Sequence, residues 1–112
     1  MNVTGELKDL VVREGLTYEI ESLQSVKWDQ NIQQYTLEVL WLGFGPLEAS
    51  FEPLDSMLEQ VPLLVFEFLD EFARNNPNEF KIFWKATKPL ILRTIRTRSY
   101  DITRFTFIEK GG

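Results

Sequence analysis

The chain has 112 residues, 44% of them hydrophobic, with nine Phe and three Trp, enough for one domain with a modest core and an extension. It contains no cysteine and no histidine, which excludes disulfides, thiolate nucleophiles, Ser-His and Cys-His catalysis, and thiolate or imidazole metal sites. The net charge of −5 conceals a division: residues 1–78 carry 4 basic and 14 acidic side chains, residues 79–112 carry 8 and 3.

These numbers bound the function. Carboxylate chemistry remains possible in principle for an enzyme, but no catalytic residue, cofactor or metal is expected. An acidic body attracts basic partners and repels bare nucleic acid. The basic end suits phosphate contacts or, more simply, a solvated or internally paired face.

The opening MNVTGELKDL has neither a basic start nor an apolar stretch, so no secretory leader is expected. No apolar run approaches the roughly 20 residues that cross a bilayer. Residues 1–13 are weakly patterned; Leu7, Leu10 and Val11 fit one face of a short helix or a sheet edge. From Leu16 the period becomes two, with Tyr18, Ile20 and Ser22 on one side and Glu19, Glu21 and Leu23 mostly on the other. DQNIQQ (29–34) reads as a hairpin connection. A second strand follows in YTLEVLWL (35–42), rich in β-branched and aromatic residues. GFGP (43–46) must break it, and ASFE (49–52) forms a third short strand that ends at Pro53.

The period then turns helical. Pro62 suits a first helical position, and LLVFEFLDEFAR (63–74) sets Val65, Phe68, Leu69 and Phe72 on one stripe, with NNPN (75–78) ending the helix. Leu63 and Phe66 fall off that stripe and form a second apolar face that something should cover. In the remainder, Phe80, Phe83 and Trp84 share helical spacing, Pro89 is expected to limit the helix, and DITRFTFIE (101–109) alternates as a strand does. Residues 79–109 are accordingly expected to fold back onto the 63–74 helix. The fold class read from this order is α+β: a small three-stranded antiparallel curved sheet with a C-terminal helix over 14–75, then a basic extension over 76–112.

Three strands and a helix in about sixty residues, with Tyr18 in TYEIESL, Trp41-Leu42-Gly43-Phe44, Ala49-Ser50-Phe51-Glu52-Pro53 and Phe68-Leu69 in that order, resemble the chromodomain family. That family shows an aromatic in its first strand, W-K-G-Y/F, N-T-W-E-P and a helical F-L pair. The wording is closest to the chromodomains at the integrase ends of gypsy-type LTR retrotransposons, and the resemblance covers residues 14–74.

The resemblance implies an SH3-like chromo barrel in the nucleus that reads a methylated lysine on a histone tail and so steers an integrase or another associated protein. It implies a cage of Tyr18, Trp41 and Phe44 with Glu48 beside the ammonium. The tail would add as a strand between Glu14–Tyr18 and Glu52–Ser56, a groove that includes Leu16, Thr17, Glu52 and Ser56. A methylated ammonium keeps its charge but loses hydrogen-bond donors, so aromatic faces suit it better than carboxylates, at about 0.5–2 kcal/mol per ring. Three rings plus backbone pairing correspond to roughly micromolar affinity, about −8 kcal/mol. Departures from the pattern are Phe51 for Trp, Leu42 for Lys and Ser56 for the Asn that clamps the peptide.

Other readings stay open. Each aromatic, taken alone, also fits a core residue, and Glu48 a solvated loop carboxylate. The module would then be an interaction or dimerisation domain without methyl-lysine binding, using the helix and the apolar Leu42. A third reading is phosphate contact through Lys81, Lys85, Lys88, Arg93, Arg96 and Arg98.

Overall fold

The computed structural model describes residues 9–111; the opening MNVTGELK, with Leu7 and the expectations placed on it, lies outside the described residues. The chain divides into two compact units, Met1–Val61 and Pro62–Gly112.

The first unit is α+β. Its sheet is an antiparallel meander in the order β1 (Leu10–Arg13), β2 (Leu16–Asp29), β3 (Gln34–Trp41) and β4 (Ser50–Pro53). Four strands replace the expected three, and the addition is β1. It forms because Glu14 and Gly15, at φ 54° and 80°, make a two-residue turn with left-handed backbone at both positions, the twist that closes a tight hairpin. Arg13 then faces Leu16, Val12 faces Thr17 and Val11 faces Tyr18. Val11 is buried at 1% exposure.

β2 is long and irregular. Its register with β3 shifts between Ile20 and Ser22 and again between Leu23 and Val26; such bulges bend a strand and strengthen its twist. Past the Asp29 carboxylate, which accepts the Asn31 amide at 2.8 Å, the chain turns into β3. There Leu37, Val39 and Trp41 are buried on alternate positions. A short helix, α1 (Leu54–Gln60), packs on β3 and β4 through Leu54, Met57 and Leu58. Each such side chain contributes about 1.5–3 kcal/mol on burial. Leu54, Met57, Leu58 and Val61 keep the i, i+3, i+4, i+7 spacing of one helix face, so this element, absent from the expectations, was legible in the sequence.

The second unit is helical: α2 (Pro62–Asn75), α3 (Pro77–Arg98) and a five-residue α4 (Phe107–Gly111). α3 and α4 both pack on α2. Phe66, off the predicted stripe, is fully buried and meets the rings of Tyr100, Phe105 and Phe107 at 5.5–5.9 Å. Leu63 stays exposed.

Two expectations are corrected here. α3 does not stop near Pro89 but runs through it, because Phe80, Trp84, Thr87, Ile91 and Ile95 continue one buried stripe on both sides of an exposed proline. Burial along that stripe outweighs the roughly 3 kcal/mol cost of an interior proline. Residues 101–109 are not a strand: a 3-10 turn over Ile102–Arg104 precedes α4. The two-residue period there records Phe105 and Phe107 entering the aromatic cluster. The Thr106 and Phe107 amides donate to the Asp70 carboxylate at 2.8 Å each rather than to a neighbouring strand.

Candidate functional site

One end of the first unit's sheet gathers three of its six aromatic side chains. Trp41 is the last residue of β3 and pairs with Ile20, so Tyr18 on β2 sits diagonally across from it on the same face. Their ring centres are 6.1 Å apart at 70°. Beyond Trp41 the chain reverses: Leu42 N–H still donates to Glu19 O at 2.9 Å, and Phe44 N–H returns to Trp41 O at 3.0 Å. Gly43, at φ 89°, takes the third position of that turn, where positive φ is required. The turn brings Phe44 to 6.5 Å from Tyr18, ring centre to ring centre. A 3-10 turn over Pro46–Glu48 follows and carries Glu48 to the same place.

The result is an open cavity of about 230 Å³ lined by Arg13, Tyr18, Trp41, Phe44, Glu48 and Ser50. Its size falls below the roughly 300–1,000 Å³ of clefts that enclose a whole small-molecule ligand, and suits one side-chain head group. Trp41 forms the floor at 8% exposure, whereas Phe44 at 52% is a rim. The floor is fixed from below: Trp41 indole N–H donates to Ser50 Oγ at 2.8 Å, and the Ser50 hydroxyl donates to Glu52 Oε2 at 2.6 Å. Glu52 is also ion-paired with Arg13, whose guanidinium carbon lies 5.5 Å from the centre of the Trp41 ring.

All four residues assigned to a cage, Tyr18, Trp41, Phe44 and Glu48, therefore line one pocket. The residues assigned to a peptide groove are placed differently. Leu16 and Thr17 pair with Arg13 and Val12 of the chain's own β1, Glu52 holds Arg13, and Ser56 lies half-buried on α1.

Arg13 and Ser50 belong to the lining without having been foreseen. A readable signal existed for Arg13: Leu10-Val11-Val12, an apolar run ending in two β-branched residues, shortly precedes another extended run, with Gly15 between them. Ser50 had none, since its role depends on the Trp41 indole nine residues earlier.

Elsewhere, Trp28 and Tyr35 meet edge-to-face at 5.2 Å, and Lys27 Nζ lies 5.2 Å from the Phe51 ring centre. The basic residues of the extension, Lys81, Lys85, Lys88, Arg93, Arg96 and Arg98, are exposed along α3. Among the described residues, no group of three or more acidic side chains is arranged to hold a metal, and no helix is long and apolar enough to cross a membrane. No family model, no curated protein and no solved structure matches the chain.

Proposed function

We propose that the first unit is a chromodomain-type, non-catalytic binding module of the nucleus whose pocket takes a methylated lysine from a basic peptide such as a histone tail. The observation that carries this reading is the enclosure of one side-chain-sized cavity by Tyr18, Trp41 and Phe44, with Glu48 at its edge. Ring faces attract a cation that has lost its hydrogen-bond donors, and a nearby carboxylate adds long-range attraction. The acidic balance of residues 1–78 favours a basic peptide in the same way.

The test compares a peptide carrying trimethyl-lysine with its unmodified form and with the neutral isostere in which carbon replaces the quaternary nitrogen. Calorimetry is expected to give about tenfold tighter binding or more for the trimethylated form, equivalent to about 1.4 kcal/mol. The isostere loses that gain because the shape is kept and the charge is gone, and Trp41→Ala abolishes the difference between the peptides. Equal binding of all three peptides would falsify the proposal.

Exposed Leu42 and Leu47, at 50% and 99%, favour a second reading, a protein-interaction module indifferent to methylation. Binding or self-association that survives Trp41→Ala unchanged belongs to that reading.

A further inference from the structure

Arg13 plays no part in the ligand reading, yet it stands in the wall of the pocket. Its guanidinium carbon is 5.5 Å from the Trp41 ring centre, inside the roughly 6 Å over which a cation and an aromatic face attract. It is ion-paired with Glu52, and the two side chains are 48% and 11% exposed. A cation resting on the floor ring, tied to a largely buried carboxylate and half in solvent, already satisfies what an incoming ammonium would seek there.

The strand that carries Arg13 is slight. β1 has four residues, of which Val11 alone is buried. It pairs with Leu16–Glu19 on one side, and on the other Val12 N–H donates to Gln60 Oε1 at 3.2 Å, in an exposed bond. The β2 edge beside Tyr18 is thus taken by the chain itself, and an extended peptide adding there as a strand would need the same hydrogen-bonding groups.

We infer that β1 and Arg13 are an internal occupant of this pocket: the guanidinium holds the cation position on Trp41, and a methylated lysine on an extended peptide binds by displacing it and lifting β1 from β2. The inference rests on the methyl-lysine reading. Two cations cannot share one ring without repulsion, and a methylated ammonium, being less hydrated than a guanidinium with five donors, gives up less water on entering.

The full chain, as wild type, Arg13→Gln, Arg13→Lys and Arg13→Gln/Trp41→Ala, is titrated with the trimethyl-lysine peptide. Arg13→Gln is expected to bind on the order of tenfold tighter, the fold-change of one relieved cation–π competitor. Arg13→Lys, which keeps the charge, stays closer to wild type, and adding Trp41→Ala removes the gain. Amide exchange in the saturated wild-type complex reports displacement without any variant: residues 10–13 are expected to exchange faster than in the free protein. An Arg13→Gln affinity no better than that of a binding-competent wild type, or β1 amides as protected in the complex as before, overturns the internal occupant and leaves the reader reading standing. Absence of binding in all four proteins overturns the reader reading, and this inference with it.

Discussion

Trp41 is both core and site. Its indole N–H is fixed by Ser50 and one ring is approached by Arg13 and edged by Tyr18, so its 8% exposure coexists with a place in the pocket floor. A sequence offers no way to separate these roles, since a strand aromatic is usually a core residue. Gly43 is the residue on which the rim depends. At φ 89° it meets no atom within 4 Å of where a Cβ would sit, so the cost of a side chain there is purely one of backbone conformation. Gly43→Ala is expected to cost about 1–2 kcal/mol, read as a lowered urea midpoint with an unchanged m-value. It should also move the Phe44 resonances more than those of Tyr35. An alanine variant of unchanged stability would mean that the turn does not need its left-handed residue.

Among the elements, those with a local period were legible. β3 alternates, β2 is extended although register shifts break its alternation, SFEP forms β4, and LLVFEFLDEFAR lies in α2, which runs from Pro62 to Asn75. The elements that were misread depend on distant partners, whereas β1, left open between a helix face and a sheet edge, is a strand because the Glu14-Gly15 turn returns the chain to pair with Leu16–Glu19. Residues 101–109 fail to be one because Asp70 caps α4 and four rings around Phe107 hold it. α3 is the sharpest case: a proline that should stop a helix is overruled by a stripe of buried side chains. Since Pro89 is exposed and deprives the helix of one backbone bond, Pro89→Ala is expected to stabilise the protein by about 1–3 kcal/mol. A destabilised alanine variant in thermal or urea unfolding would show instead that a kink at this position is required for packing.

For the whole molecule, the charge division has a structural counterpart. The acidic majority includes Glu48 in the pocket and Glu52 beside it, paired with Arg13, while six basic side chains of the extension, from Lys81 to Arg98, are exposed along α3. The second unit is held by rings: Phe66, Phe80, Trp84 and Phe105 surround Phe107 at 5.8–6.2 Å. A chain ending at Asn75 keeps α2 but loses every ring that covers Phe66. It is expected to bind an apolar dye and to self-associate at micromolar concentration, with a lowered melting temperature. A monodisperse, dye-silent truncated chain that melts as before would contradict the packing of α3 and α4 on α2.

The sequence by itself determined what depends on composition and on neighbours in the chain. It removed histidine and cysteine chemistry, set the α+β class, and, through the resemblance to chromodomains, grouped Tyr18, Trp41, Phe44 and Glu48 as a set. Only the tertiary structure decided that those four share a pocket with Arg13 and Ser50, that β1 takes the edge beside Tyr18, and that α3 passes Pro89. The reason is physical. Periodicity and turn chemistry act over a few residues, whereas strand pairing, ion pairs and ring packing are settled between residues tens of positions apart, where burial outweighs local preference.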